Sequence, residues 1–127
     1  MTDVMKFLCE IPGSPVSKER ARQGRNGRFY TPSKTRNAEA VVVAYVRQCN
    51  PGLQVDEVSL FRVNVVFHTA TRRRRDIDNM LKLLLDALNG VVWHDDSQVR
   101  DVSMKLEQNS DNPRTVFSVF KITEKQA

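Results

Sequence analysis

The chain has 127 residues, 40% of them hydrophobic, with 20 Lys+Arg against 15 Asp+Glu and a formal net charge of +5. That suits one domain with one modest core and excludes a disordered tail. No apolar run approaches the ~20 residues of a membrane span, and the first residues lack the basic-then-apolar order of a secretory signal.

Met5, Phe7, Cys9 and Ile11 alternate with Lys6, Leu8 and Glu10, which predicts a half-buried strand ended by Pro12-Gly13-Ser14-Pro15. Residues 16–31 hold Gly24, Gly27 and many cations with little apolar periodicity, so a mobile loop is expected, with Arg28-Phe29-Tyr30 as its aromatic anchor. Thr31-Pro32-Ser33 resembles a helix start with Pro in the first turn. Ala38, Val41, Val42, Tyr45, Val46 and Cys49 follow at helical spacing, and Asn50-Pro51-Gly52 stops that helix. Phe61, Val63, Val65 and Phe67 alternate with Arg62, Asn64, Val66 and His68, predicting a second strand over 58–69. Leu81, Leu84, Leu85 and Leu88 recur at i, i+3, i+4 and i+7, predicting an amphipathic helix over 79–89. Asp78 is its expected N-cap and Gly90 its C′ residue. Val91-Val92-Trp93 is a short apolar segment packed after the helix. Val102, Met104 and Leu106 alternate in a third strand, and a turn at 109–113 leads to a fourth over 115–123, so the last two strands are expected to pair as a hairpin. The order β-α-β-α-β-β predicts an α+β single domain, two helices on a mixed four-stranded sheet, with no internal repeat.

Cys9 and Cys49 are too few and too scattered for a disulfide framework or a zinc site. Reduced, buried thiols in a cytoplasmic protein are expected, with a disulfide between them as the alternative.

The charge is unevenly placed. Lys18, Arg20, Arg22, Arg25, Arg28, Lys34 and Arg36 lie within 18–36, opposed only by Glu19, and Arg72, Arg73, Arg74 and Arg75 form a second basic run. The sign then reverses, with Asp76, Asp78, Asp86, Asp95, Asp96 and Asp101 against Lys82 and Arg100. Such runs can be solvated surface. Two of them flanking one acidic centre favour a polyanion, nucleic acid, held near carboxylates.

Asp76 and Asp78 are two residues apart, where a strand gives way to a helix. In an extended segment their Cα atoms lie ~6–7 Å apart on one side. Hard oxygen donors at that spacing suit Mg²⁺ or Mn²⁺. The helix leads away and the chain returns with Asp95 and Asp96, so three carboxylates can converge, enough for a metal-dependent phosphodiesterase. Each has a plainer role available: Asp78 as a helix cap, Asp95-Asp96 as a polar turn, Asp76 as an arginine's partner. Together those roles leave uncompensated negative charge clustered in a basic protein. Lys82 follows Asp78 by one turn and precedes Asp86 by another. It can face a phosphate or form a surface pair worth tenths of a kcal/mol. His94 borders the Asp pair as a candidate ligand or a solvated turn residue. Trp93 reads as a core plug more than a base-stacking platform, while Phe29 and Tyr30 either stack on bases or pin the loop.

The stretch Arg75-Asp76-Ile77-Asp78-Asn79-Met80-Leu81-Lys82, followed by Asp86-Ala87-Leu88-Asn89-Gly90-Val91-Val92-Trp93-His94-Asp95-Asp96-Ser97-Gln98-Val99, closely resembles the RusA family of Holliday-junction resolvases, often carried by phages and prophages. The pattern is D-[ILV]-D-N-x-x-K, then DAL-N-G, then W-x-DD-x-Q-[VI]. A weaker likeness runs from Pro15-Val16-Ser17-Lys18 to Arg28-Phe29-Tyr30-Thr31-Pro32. The resemblance implies a homodimeric endonuclease, dependent on Mg²⁺ with Mn²⁺ as a substitute, that cuts four-way DNA junctions. It carries the catalytic, metal-holding aspartates onto Asp76, Asp78 and Asp96, and an essential lysine onto Lys82, with Asp95 as neighbour or helper. Lys18, Arg20, Arg22, Arg25, Arg28 and Arg72 to Arg75 are then expected to grip the DNA backbone. The N-terminal segment is more basic than in some versions of the family, which leaves substrate preference open. The alternatives are a non-catalytic branched-DNA-binding module of the same fold, a metal nuclease of other specificity, and a small structural protein with a solvated acidic turn.

Overall fold

The computed structural model describes residues 3–18, 22–30, 32–70, 77–108 and 110–123, with Arg22 and Tyr30 as backbone only. Four long strands make one sheet: β1 (Asp3–Pro12), β4 (Leu60–His68), β5 (Val99–Glu107) and β6 (Arg114–Ile122). Two helices, α1 (Ser33–Cys49) and α2 (Ile77–Ala87), alternate with the first three of these. The expected α+β order β-α-β-α-β-β is therefore the observed one. Between β1 and α1 lies an addition: Arg22–Gln23 (β2) and Phe29–Tyr30 (β3) pair as a two-residue hairpin. Its tip is closed by Gly24 N–H donating to the Arg28 carbonyl at 2.7 Å and by Gly27 at φ +79°. The segment expected to be wholly loop thus contains a turn that glycine chemistry explains.

The sheet order is β1-β6-β4-β5. β6 runs antiparallel to both β1 and β4, and β5 runs parallel to β4 at the edge. The expected β5–β6 hairpin is overturned. The connection passes around the end of β4, where Thr69 N–H donates to the Glu107 carbonyl and Ser110 N–H to the Thr69 carbonyl. Burial explains the choice. β6 carries the buried Thr115, Phe117, Ser118 and Val119 and takes a central place, whereas the largely exposed β5, with Arg100, Asp101, Lys105 and Glu107, blunts an edge. A parallel β4–β5 pair needs a crossover, and α2 supplies it.

One face of the sheet is the core. Phe7, Cys9 and Ile11 of β1, Phe61, Val63, Val65 and Phe67 of β4, and Phe117 and Val119 of β6 pack with Val42 and Val46 of α1 and Met80, Leu83, Leu84 and Ala87 of α2. Met5 was expected on this face. A bulge between Met5 and Phe7 shifts the alternation, so Met5 is paired with Phe120 and exposed. Cys9 and Cys49 form no disulfide, with Sγ atoms 3.7 Å apart; Cys9 is buried as expected, whereas Cys49, at the last turn of α1, is exposed. Burial, and then the hydrogen bond with Cys49, push the Cys9 thiol up to about 12. Among the described residues no helix is long and apolar enough to cross a membrane.

α1 begins directly after Pro32, which precedes the helix rather than sitting in its first turn. α2 as described begins at Ile77, so Asp78 lies in its first turn and not at the cap. After α2 the chain turns through Gly90, at φ +76°, and Gly90 N–H donates to the Trp93 carbonyl. Val91, Val92 and Trp93 are all buried, and Trp93 Nε1 donates to Asn89 Oδ1 at 2.9 Å. Trp93 is a core plug, tilted against Phe61.

Candidate active site

Buried Met80, Leu83, Leu84 and Ala87 fix which side of α2 faces outward. On that side Asp78, Lys82 and Asp86 recur every four residues, so they share one stripe. Asp78 and Lys82 are exposed, while Asp86, at the far end, is half-buried.

The turn beyond Trp93 brings Asp96 to this stripe. Residues Asp96–Gln98 form a single 3-10 turn capped by Asp95, whose Oδ2 accepts from Ser97 N–H at 3.0 Å. Gln98 is the bracket. Its Oε1 accepts from the His94 and Asp95 N–H groups, and its Nε2 donates to the Asp56 and Ser59 carbonyls at 2.8 and 2.9 Å. Asp56 in turn accepts from Val58 and Ser59 N–H, which hold its carboxyl down to about 2. The local sequence thus divides labour within the adjacent pair. Asp95 is spent on the cap, and Ser97 bonds hold its carboxyl below the ordinary range. Asp96 is left to face α2.

There the Asp96 carboxyl shares a hydrogen bond with Asp86. Burial raises its pKa first, then the Asp86 bond and charge and the Asp95 charge, with Lys82 opposing. Burial and neighbouring like charges both disfavour the ionised form of Asp96. Lys18 reaches the same spot from the segment after β1. Its backbone N–H donates to the Asn79 carbonyl at 2.9 Å, and its Nζ lies 2.5 Å from Asp86 Oδ2 and 4.0 Å from Glu39 Oε2 of α1. Burial raises the Glu39 pKa, with Lys18 pulling it down and Asp86 pushing it up.

The structure therefore gathers Asp96, Lys82 and Lys18, expected as site residues, around Asp86, expected only as a surface partner of Lys82, and Glu39, which the sequence did not single out. Asp86 had one signal, its place on the Asp78–Lys82 line. Glu39 had none. Lys18 was expected as a cation for DNA; in the structure its ammonium is engaged with two carboxylates. Arg25 and Arg28 are exposed beside the small hairpin, and Phe29 is 71% exposed, so it does not pin that segment to the body. His94 is exposed in the turn. Asp76, Arg20 and Arg72 to Arg75 lie outside the described residues, as does the Arg22 side chain.

Among the described residues no three His, Cys, Asp or Glu side chains are grouped to hold a metal ion. The donor chemistry nevertheless fits a hard divalent cation. The site offers carboxylate oxygens only, and the crowding of Asp96 by the Asp86 and Asp95 charges is one that a cation would offset.

Residues 12–119 match the family described as Endodeoxyribonuclease RusA. The chain is also 33% identical over 98 residues to the crossover junction endodeoxyribonuclease RusA of Aquifex aeolicus (strain VF5), an alignment covering 75% of this chain and 74% of that protein.

Proposed function

The chain belongs to the RusA endodeoxyribonuclease family, and from that premise we propose that it resolves four-way DNA junctions by hydrolysing paired phosphodiester bonds, with a divalent cation at the carboxylates of α2 and the 3-10 turn. The observation that carries the site is Asp96, turned toward the Asp78–Lys82–Asp86 stripe by a capped turn that Gln98 anchors. Asp76, Asp78 and Asp96 are the residues that would hold Mg²⁺, or Mn²⁺ in its place. The bound ion supplies an activated water and charge neutralisation at the scissile phosphate. Lys82 stands one turn from Asp78 and is exposed, so its ammonium is available to a phosphate oxygen. Arg20, Arg22, Arg25, Arg28 and Arg72 to Arg75 supply the backbone grip, with Phe29 free to stack on an unpaired base. Symmetric cutting of two strands needs two active sites related by a two-fold axis, which a homodimer provides. We place the protein in the cytoplasm, where its DNA substrate lies.

The test is cleavage of a labelled four-way junction and a matched linear duplex, in Mg²⁺ and in EDTA, by the wild type, Asp76→Asn and Asp96→Asn. Metal-dependent paired cuts in the junction alone, lost in both variants, are expected. Tight junction binding with no cuts in either Mg²⁺ or Mn²⁺ would leave a binding module of the same fold. Sedimentation of the protein with and without junction tests the dimer.

A further inference from the structure

We propose that Lys18 is a positioning residue for the carboxylate cluster: its ammonium, seated between Asp86 and Glu39, holds the Asp86 carboxylate in the orientation that presents Asp96 to the divalent cation. The inference rests on the metal-dependent reading above and concerns this chain's own residues.

Three observations carry it. First, Lys18 grips α2 at two heights. Its N–H is bound to the carbonyl of Asn79 and its Nζ to the carboxylate of Asp86. These residues are two helical turns apart on one stripe. An extended lysine chain spans the interval, so the ammonium is fixed by both ends. Second, its surroundings are those of a half-buried strut. The Lys18, Asp86 and Glu39 side chains are 27%, 19% and 23% exposed, whereas a lysine serving phosphates in solution is an open, flexible point charge. Third, charge balance requires it. Glu39 of α1 and Asp96 of the 3-10 turn each approach Asp86 of α2, and Lys82 stands near Asp96. Removing the Lys18 charge leaves Glu39 and Asp86 facing one another. Asp86 then swings toward solvent, and Asp96 loses the carboxyl it is bonded to.

Partners that orient ligands without touching the metal commonly change metal affinity 10–100-fold. The experiment uses the full chain as wild type, Lys18→Met, Lys18→Arg, Asp86→Asn and the Lys18→Met/Asp86→Asn double variant. Three quantities are read: Mn²⁺ binding without DNA by calorimetry, the melting temperature without metal, and four-way-junction affinity in EDTA. Lys18→Met is expected to weaken Mn²⁺ binding by about 10-fold or more, and Lys18→Arg to restore it to within about threefold. The double variant is expected to bind Mn²⁺ no more weakly than the weaker single one, because the two residues act as a unit. Junction affinity in EDTA should stay within about twofold of wild type, since no phosphate contact is lost. Unchanged Mn²⁺ affinity in a folded Lys18→Met protein overturns the inference and leaves the metal reading intact. So does a fall in junction affinity in EDTA with a salt slope reduced by about one, the signature of a phosphate contact. A wild type that takes up no Mn²⁺ overturns both.

Discussion

Gln98 offers the sharpest test of how the candidate site is built. It makes four hydrogen bonds: it accepts from the His94 and Asp95 N–H groups, and donates to the Asp56 and Ser59 carbonyls. Gln98→Leu keeps the shape and removes all four. The two donated bonds are part-buried and contribute about 1 kcal/mol net each, while the two exposed ones add a few tenths, giving a loss of about 2–3 kcal/mol. In a domain of this size that lowers the melting temperature by roughly 8–12 °C. The larger effect falls on chemistry. Without the bracket the 3-10 turn is no longer tied to residues 56–59, and a displacement of Asp96 by about 1 Å costs on the order of 10²-fold in rate. Single-turnover cleavage of a four-way junction, at a temperature where both proteins are folded, measures this directly. Gln98→Glu keeps the acceptor for His94 and Asp95 and should fall between the two. If Gln98→Leu melts as expected yet cleaves within about threefold of wild type, the turn does not position Asp96 and the reasoning fails.

Other expectations concern single groups. Cys9, buried and pushed up to about 12, should resist iodoacetamide at pH 8 while exposed Cys49 reacts, so native protein labels once and unfolded protein twice; equal rates at both would contradict the burial. Asp56 is held down to about 2 from an ordinary value of 3.8. Its folded pKa is depressed, so its stabilising contribution is complete above 3.8 and is lost as pH falls toward 2. The melting temperature of Asp56→Asn should therefore drop less than that of wild type across that interval, and parallel curves would refute the assignment. Arg25 and Arg28 are exposed beside the β2–β3 hairpin. Arg25→Ala and Arg28→Ala should each reduce the slope of log affinity against log salt for junction binding by about one, whereas an unchanged slope removes them from the backbone grip.

What the sequence revealed follows from the range of the signals involved. Alternation at Phe61, Val63, Val65 and Phe67 is local and survives folding, all four being buried. The recurrence of Leu81, Leu84, Leu85 and Leu88 marked the helix, but its buried side is Met80, Leu83, Leu84 and Ala87, with Leu81 and Leu85 only partly buried and Leu88 just beyond α2. Strand pairing is not local. A turn between two alternating segments suggests a hairpin, but β6 is the strand that can be buried between two neighbours, and that competition involves β1 and β4 from the other end of the chain. Met5 failed for a similar reason, since a one-residue bulge leaves no mark in the alternation it disturbs. In the site, the spacing of Asp78, Lys82 and Asp86 was visible on one helix. The meeting of Asp86 with Asp96 and Lys18 was not, because it needs a turn held by Gln98 and a strap from the segment after β1. That Asp95 caps the 3-10 turn was likewise not visible in the sequence.

The central place of β6 bears on how the protein is made. Asp3 pairs with Ile122 and Pro12 with Arg114, while Leu60 pairs with Ile122 from the opposite side. β1 and β4 have no ladder with each other, so the first strand synthesised waits for one of the last. Until β6 leaves the ribosome, β1 has no partner in the sheet, and the apolar faces of Phe7, Cys9 and Ile11 stay open to competing contacts. Topologies dominated by such distant pairings fold slowly. Refolding should be slow for a chain of this length, and nascent chains halted before Arg114 should be held by chaperones or degraded, since the strand that joins the two halves of the sheet has yet to arrive.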